Sequence, residues 1–135
     1  NYASRKGREL AANPRAALTF YWGQLGRQVR VTGLVARTAR DESVAYAHSR
    51  ARGSQLSALA SAQSSVIDGR AGLEARVAQL SSRYEGEELP VSVQWGGFTL
   101  APGAVELWQQ RADRLHDRLL YTRGSRGWRL ERLAP

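Results

Sequence analysis

A mainly β domain with flanking helices, closed or partly closed into a barrel, is the fold class that the order of hydrophobic periods predicts. Three observations carry that expectation. Residues 15–22 and 27–38 alternate at period two, residues 41–84 switch to helical spacing, and from about 93 the period returns to two. Strands, then helices, then strands favour antiparallel pairing and helices outside a barrel. The helix–strand alternation of a doubly wound sheet is missing, and so are GxGxxG and Walker-type loops, which argues against nucleotide binding by those two routes.

Each element has a local reason. Ser4 can cap a short helix through about Ala12, which Asn13-Pro14 ends. RAALTFYW, residues 15–22, reads as a strand stopped by Gly23. In RQVRVTGLVART, residues 27–38, Val29, Val31 and, past Gly33, Val35 share one face, and Gly33 marks a bulge or a close backbone approach. Asp41 is the expected cap of a helix over about 42–50, with Val44 and Ala45 on one face. Gly53-Ser54 opens a second short helix carrying Leu56, Leu59 and Ala60 at helical spacing. After Gly69, residues 70–84 set Leu73, Val77 and Leu80 on a stripe, closed by Gly86 and Pro90. Strands are expected over 93–100, 104–110, 117–123 and 127–133.

Composition narrows the function classes. At 135 residues and 42% hydrophobic content the chain is one domain, residues 1–135. Twenty basic against 12 acidic residues give +8, mostly as arginine, whose donor fork suits phosphate and carboxylate. The charges are scattered rather than run together, so composition alone does not choose between a polymer and a small ligand. A nucleic-acid module accounts for +8 but leaves the cluster Arg114-Leu115-His116-Asp117-Arg118 without a role and ranks last. With no cysteine, disulfides, thiolate nucleophiles and Cys-built zinc sites are excluded. No apolar run approaches the roughly 20 residues of a membrane span, so no membrane partner is expected and the cytoplasm is the default location. Asn1 stands where an initiator Met would, and the chain reads as the middle of a larger protein.

Several residues could carry chemistry, and each also has a plainer reading. Arg5-Lys6 lies in the first turn of the first helix, where free N–H groups attract anions; solvated charges would look the same. Gln28 can address a heterocycle edge or simply be a solvated strand residue. Gln63-Ser64-Ser65 can bind an anion or end a helix. Tyr46, Arg50 and Ser54 recur every four residues, offering a ring, a cation and a hydroxyl to a phosphorylated aromatic ligand, or a surface cation leaning on a tyrosine. His116 sits in the crowded run WQQRADRLHDR, residues 108–118, where cationic neighbours disfavour imidazolium. It is a candidate for proton exchange near neutral pH, or for satisfying a turn. Asp117 can orient an arginine across the sheet. Trp108 and Trp95 could cover a flat ring or be packed. There is no paired-histidine metal motif and no nucleophile elbow, so catalysis would depend on a cofactor.

The run WGGFTLAPGAVELWQQRADRLHDRLLYTR, residues 95–123, followed by GWRLERLAP, residues 127–135, closely resembles the C-terminal region of the pyridoxine/pyridoxamine 5′-phosphate oxidase family. SRKGRELAANPRAAL at 4–18, RQVRVTG at 27–33 and SRARGSQLSALASAQSS at 49–65 match the same family in the same order. The resemblance implies an FMN-binding split β-barrel that forms a homodimer with FMN sites at the interface. It implies oxidation of either phosphorylated vitamin B6 substrate to pyridoxal 5′-phosphate, with hydride passing to FMN and molecular oxygen reduced to hydrogen peroxide. By the same resemblance Arg5, Lys6, Gln28, Gln63, Ser64, Trp108 and Arg118 are FMN contacts. Tyr46, Arg50 and Ser54 hold the substrate's phosphate, and Arg114, Leu115 and His116 face its ring, with Arg114 and His116 as the catalytic pair. The strand region 93–135 would serve both substrate site and dimer. Strands that the family carries ahead of this stretch are absent, so an N-terminally truncated barrel is expected. A phenazine-pathway oxidase or a non-catalytic flavin- or pyridoxal-phosphate-binding remnant are the alternatives.

Overall fold

Helix α1 (Arg5–Ala12) begins where Ser4 can satisfy it: Ser4 Oγ accepts the Gly7 N–H at 3.1 Å, removing one of the unpaired amides of the first turn. The computed structural model describes residues 1–135. They fall into two units, one of Asn1–Ala12 and Arg37–Phe98, the other of Asn13–Ala36 and Thr99–Pro135.

The first unit is helical. Besides α1 it contains α2 (Arg40–Ser49), α3 (Arg52–Ala60) and α4 (Arg70–Arg83). Leu56, Leu80 and Leu89 form its apolar core, with Leu59, Ala60, Val77 and Tyr84 packed against them. The leucine stripes of α3 and α4 therefore meet each other, as their spacing predicts. Asp41 is not the cap of α2. That position belongs to Ala39, and the Asp41 carboxylate instead accepts the N–H of its neighbour Glu42 at 2.9 Å. The buried row of α2 is also rotated from Val44 and Ala45 to Ser43 and Ala47, four residues apart. Ser43 Oγ lies 2.7 Å from Thr38 Oγ1, and this hydroxyl pair turns that row inward.

The second unit holds most of a sheet whose strands run in the order β1 (Arg15–Trp22), β2 (Arg27–Arg37), β3 (Phe98–Gln109), β4 (Asp117–Gly124) and β5 (Gly127–Arg132). The β1–β2, β3–β4 and β4–β5 pairs are antiparallel, and β1 and β5 are edges. Gly33 on β2 is a site of close approach: a Cβ there would stand 2.0 Å from the carbonyl oxygen of Ala101 on β3. The expected separate strands at 93–100 and 104–110 are one strand, Phe98–Gln109. Pro102 lacks an N–H, but it precedes the stretch Ala104–Gln109 that pairs with β4, so the ladder to β4 loses nothing.

Candidate functional site

In the helical unit, Tyr46 lies on α2 and Ser54 on α3, and the chain between them is not one helix. It breaks at Arg50, which is extended with φ −80 and ψ 153. Gln55 braces the break by donating its side-chain N–H to the Arg50 carbonyl at 2.7 Å. The every-fourth spacing of ring, cation and hydroxyl thus spans two helices rather than one edge. What joins them is Trp95. Tyr46 stacks on its indole at 6.1 Å and 22° between planes, and the Arg50 guanidinium lies over it at 5.6 Å.

A cleft of about 470 Å³ brings together Arg50, Ser54, Gln63 and Trp95, with Asn1 and Ser57 also on its walls. That volume is within the usual range for small-molecule sites, about 300–1,000 Å³. Ser64 lies outside this cleft, beside a neighbouring recess with Ser65, Val66 and Ile67, and adopts a left-handed backbone with φ 72. Arg5 and Lys6 stand exposed in the first turn of α1 and do not line the cleft. Arg5 is tied to Glu9 one turn on at 2.8 Å.

In the sheet unit, the charged run after β3 forms a single 3-10 turn, Ala112–Arg114, before β4. Asp113 and Arg114 both have positive φ, 52 and 60, so with Ser64 every non-glycine residue of that conformation falls in a segment nominated from sequence. Such backbone costs about 1–3 kcal/mol per residue and persists where surrounding structure enforces it. Here His116 is part of that structure. Its Nδ1 accepts the Arg111 N–H at 3.2 Å, and its ring sits 4.7 Å from that of Trp108. Because an amide N–H can only donate, the neutral imidazole carries its proton on Nε2. Arg114 and Leu115 are exposed.

Asp117 holds the far side of the turn. Its two oxygens accept Arg111 Nε at 2.7 Å and Arg132 Nη1, on β5, at 2.6 Å. Those bonds, that from Arg111 first, keep the Asp117 carboxyl below the ordinary aspartate range. Arg118, opposite Trp108 in the β3–β4 register, donates to Glu106 Oε1 at 2.8 Å and to the Ala134 carbonyl at 3.0 Å. Glu106 is enclosed and also meets Arg30 of β2 at 3.1 Å. Gln28 is half-buried on β2, opposite Tyr21.

Sequence reasoning singled out neither Glu106 nor Arg30, and left Trp95 without a partner. The signal for Glu106 was its place in β3, where it follows Phe98, Leu100 and Ala104 on the inward-facing alternation. A carboxylate in that series calls for a cation across the sheet. No helix of the chain is long and apolar enough to cross a membrane.

Comparison with solved structures defines the class. PhzG from Burkholderia lata 383, solved with tetrahydrophenazine-1-carboxylic acid, superposes with a TM-score of 0.91 at 32% identity, over 98% of this chain and 65% of that one. A pyridoxamine 5′-phosphate oxidase-related, FMN binding protein from Nostoc punctiforme PCC 73102 shares the fold at a TM-score of 0.70 and 17% identity, over 100% and 69%. The architecture is a split barrel.

Residues 1–84 match the family model described as pyridoxamine 5′-phosphate oxidase, and residues 95–135 match the pyridoxine 5′-phosphate oxidase C-terminal dimerisation region. Over its whole length the chain is 58% identical to the pyridoxine/pyridoxamine 5′-phosphate oxidase of Streptomyces avermitilis and 56% identical to that of Burkholderia vietnamiensis. It therefore belongs to the pyridoxamine 5′-phosphate oxidase family. The chain spans 61% and 64% of the lengths of these two relatives.

Proposed function

We propose that the whole protein is an FMN-dependent oxidase converting pyridoxine 5′-phosphate or pyridoxamine 5′-phosphate to pyridoxal 5′-phosphate, with molecular oxygen consumed and hydrogen peroxide released. The observation that carries this reading is the cleft that gathers Arg50, Ser54 and Gln63 beside the aromatic face of Trp95. A guanidinium fork and a hydroxyl suit a phosphate, and the indole beside them suits a flat aromatic ligand.

The donor set also fits FMN. Lys6 and Arg5 offer cations at the positive end of α1, Gln28, Gln63 and Ser64 offer amide and hydroxyl groups, and Trp108 offers an aromatic edge, with Arg118 beside it across the ladder. When bound, FMN supplies a two-electron acceptor that oxygen regenerates. The chain's own residues bind and orient. Arg50 and Ser54, with Tyr46 against the shared indole, hold the phosphate. Arg114 is presented on a backbone fixed in the left-handed region, the exposed Leu115 follows it, and His116 offers its Nε2–H as a donor toward a substrate oxygen. The exposed apolar side chains Leu18, Phe20 and Trp22 on β1, with Trp128 and Leu130 on β5, are the surface a homodimer would cover.

The likeness to PhzG supports a second reading, oxidation of a phenazine-type acid. Such a ligand carries a carboxylate and no phosphate, so it would leave part of the Arg50–Ser54 donor set unused. With full-length protein, Arg114→Ala or His116→Ala should lower kcat/KM for pyridoxine 5′-phosphate by about 100-fold or more while FMN affinity stays unchanged. Undiminished turnover in both variants would remove that pair from the reaction.

A further inference from the structure

The phosphate grip assigned to Arg50 leaves open what aims it. Arg50 lies at a break between two helices, a place where a long side chain has many rotamers. No carboxylate pairs with it. Its guanidinium instead lies over the indole of Trp95 at 5.6 Å, and Tyr46 stacks on the same indole, nearly parallel. A cation over an aromatic ring is attracted by the ring's quadrupole and spends no hydrogen bond on it. The contact therefore restrains the guanidinium without consuming the donors that a phosphate needs.

Trp95 belongs to no helix or strand, so it must itself be held. Its backbone N–H donates to the Ser92 carbonyl at 2.9 Å. The first residue of α2, Arg40, then reaches across and donates to the carbonyls of Ser92 at 3.0 Å, Trp95 at 3.1 Å, and Val91. One guanidinium thus clamps the turn that carries the indole. The same helix bears Tyr46 and runs into Arg50, so clamp and clamped groups are referred to a single rigid element.

We propose that Trp95 is a positioning residue for the phosphate-binding arginine, presenting Arg50 and Tyr46 to the phosphate of the substrate, and that Arg40 holds Trp95 in place. The proposal rests on the reading of Arg50 as a phosphate ligand and adds the residues that make that ligand selective for a phosphorylated substrate. It concerns affinity and not the chemical step, because none of the three groups needs to touch the reacting carbon.

The test uses the full-length, FMN-loaded protein, with pyridoxine 5′-phosphate as substrate and inorganic phosphate as competitive inhibitor. Trp95→Leu should raise both KM and the phosphate inhibition constant about fivefold, with kcat changed less than about twofold. Trp95→Phe, which keeps an aromatic face, should recover most of the loss. Arg50→Ala measures the underlying reading. If it leaves KM and phosphate inhibition unaltered, the phosphate site and this proposal fall together. If Arg50→Ala weakens both but Trp95→Leu weakens neither, or acts on kcat instead, the positioning role alone is wrong. Should Trp95→Leu fail to fold, Arg40→Gln on the exposed surface decides. A KM raised about twofold at constant kcat supports the clamp, and an unchanged KM overturns it.

Discussion

The helical unit encloses Leu56, Leu80 and Leu89, whereas in the sheet unit the enclosed side chain is the carboxylate of Glu106, held by Arg118 and Arg30. The helical unit thus carries an apolar core of its own. Around that core its candidate ligands are braced by hydrogen bonds to loop carbonyls, as Gln55 does for Arg50 and Arg40 for Trp95. The sheet unit leaves Phe20, Trp22, Trp128 and Leu130 about half exposed, and orders its charged turn through ion pairs on Asp117. Two ways of fixing functional side chains coexist in one small chain. The difference teaches that the sheet's polar cluster is held by geometry within the ladder rather than by burial.

Backbone substitutions should separate the units most sharply. Gly33→Ala forces a Cβ to 2.0 Å from the Ala101 oxygen, so the β2–β3 contact must open, at a cost of about 4 kcal/mol or failure to fold. In α4, Gly72→Ala meets nothing within 4 Å and should stabilise by about 0.5–1 kcal/mol. Denaturant midpoints measure both. A tolerated Gly33→Ala would mean that the strands approach less closely than described.

Burial should come next in size. Leu56→Ala removes packing against Leu80 and Leu89 and should cost about 2–4 kcal/mol. Glu106→Leu should cost only about 1 kcal/mol, because Arg30 and Arg118 keep enough exposure to hydrate once unpaired. If Glu106→Leu proved the more damaging, the sheet would depend on its ion triad as the helices depend on leucine. The smallest effect is pH-dependent. Asp117, whose ionised form Arg111 and Arg132 favour, contributes stability above its unfolded pKa and loses it as pH falls through the lower folded value. The melting-temperature deficit of Asp117→Asn should therefore be fullest at neutral pH and fade in acid below the ordinary aspartate range. A deficit independent of pH would assign Asp117 no electrostatic role.

How much was legible in the sequence follows how local each signal is. The Ser4 cap, the close approach at Gly33, and the stripes Leu56–Leu59 and Leu73–Val77–Leu80 depend on neighbours within a turn or on one glycine. All were readable, and so was the split-barrel class, through the matched motifs. Pro102-Gly103 was misread as an interruption because only the strand pairing reveals that no β4 hydrogen bond is needed there. Within the candidate site, the spacing of Tyr46, Arg50 and Ser54 was visible but the helix break at Arg50 was not. Trp95 was named without its partners and Glu106 was not named at all, because Arg40 and Arg30 lie tens of residues away in the chain. The left-handed backbone at Asp113 and Arg114 had no sequence signal either, since neither residue is glycine.

The central claim is that this donor set serves a phosphorylated B6 vitamer oxidised by FMN. Its most direct test compares kcat/KM of the full-length, FMN-loaded protein for pyridoxine 5′-phosphate and for tetrahydrophenazine-1-carboxylic acid, following pyridoxal 5′-phosphate and hydrogen peroxide formation. The account predicts stoichiometric pyridoxal 5′-phosphate and peroxide, and a preference for the phosphorylated substrate of about 100-fold or more. Comparable or faster oxidation of the phenazine acid, or no turnover of either phosphorylated vitamer, would contradict it.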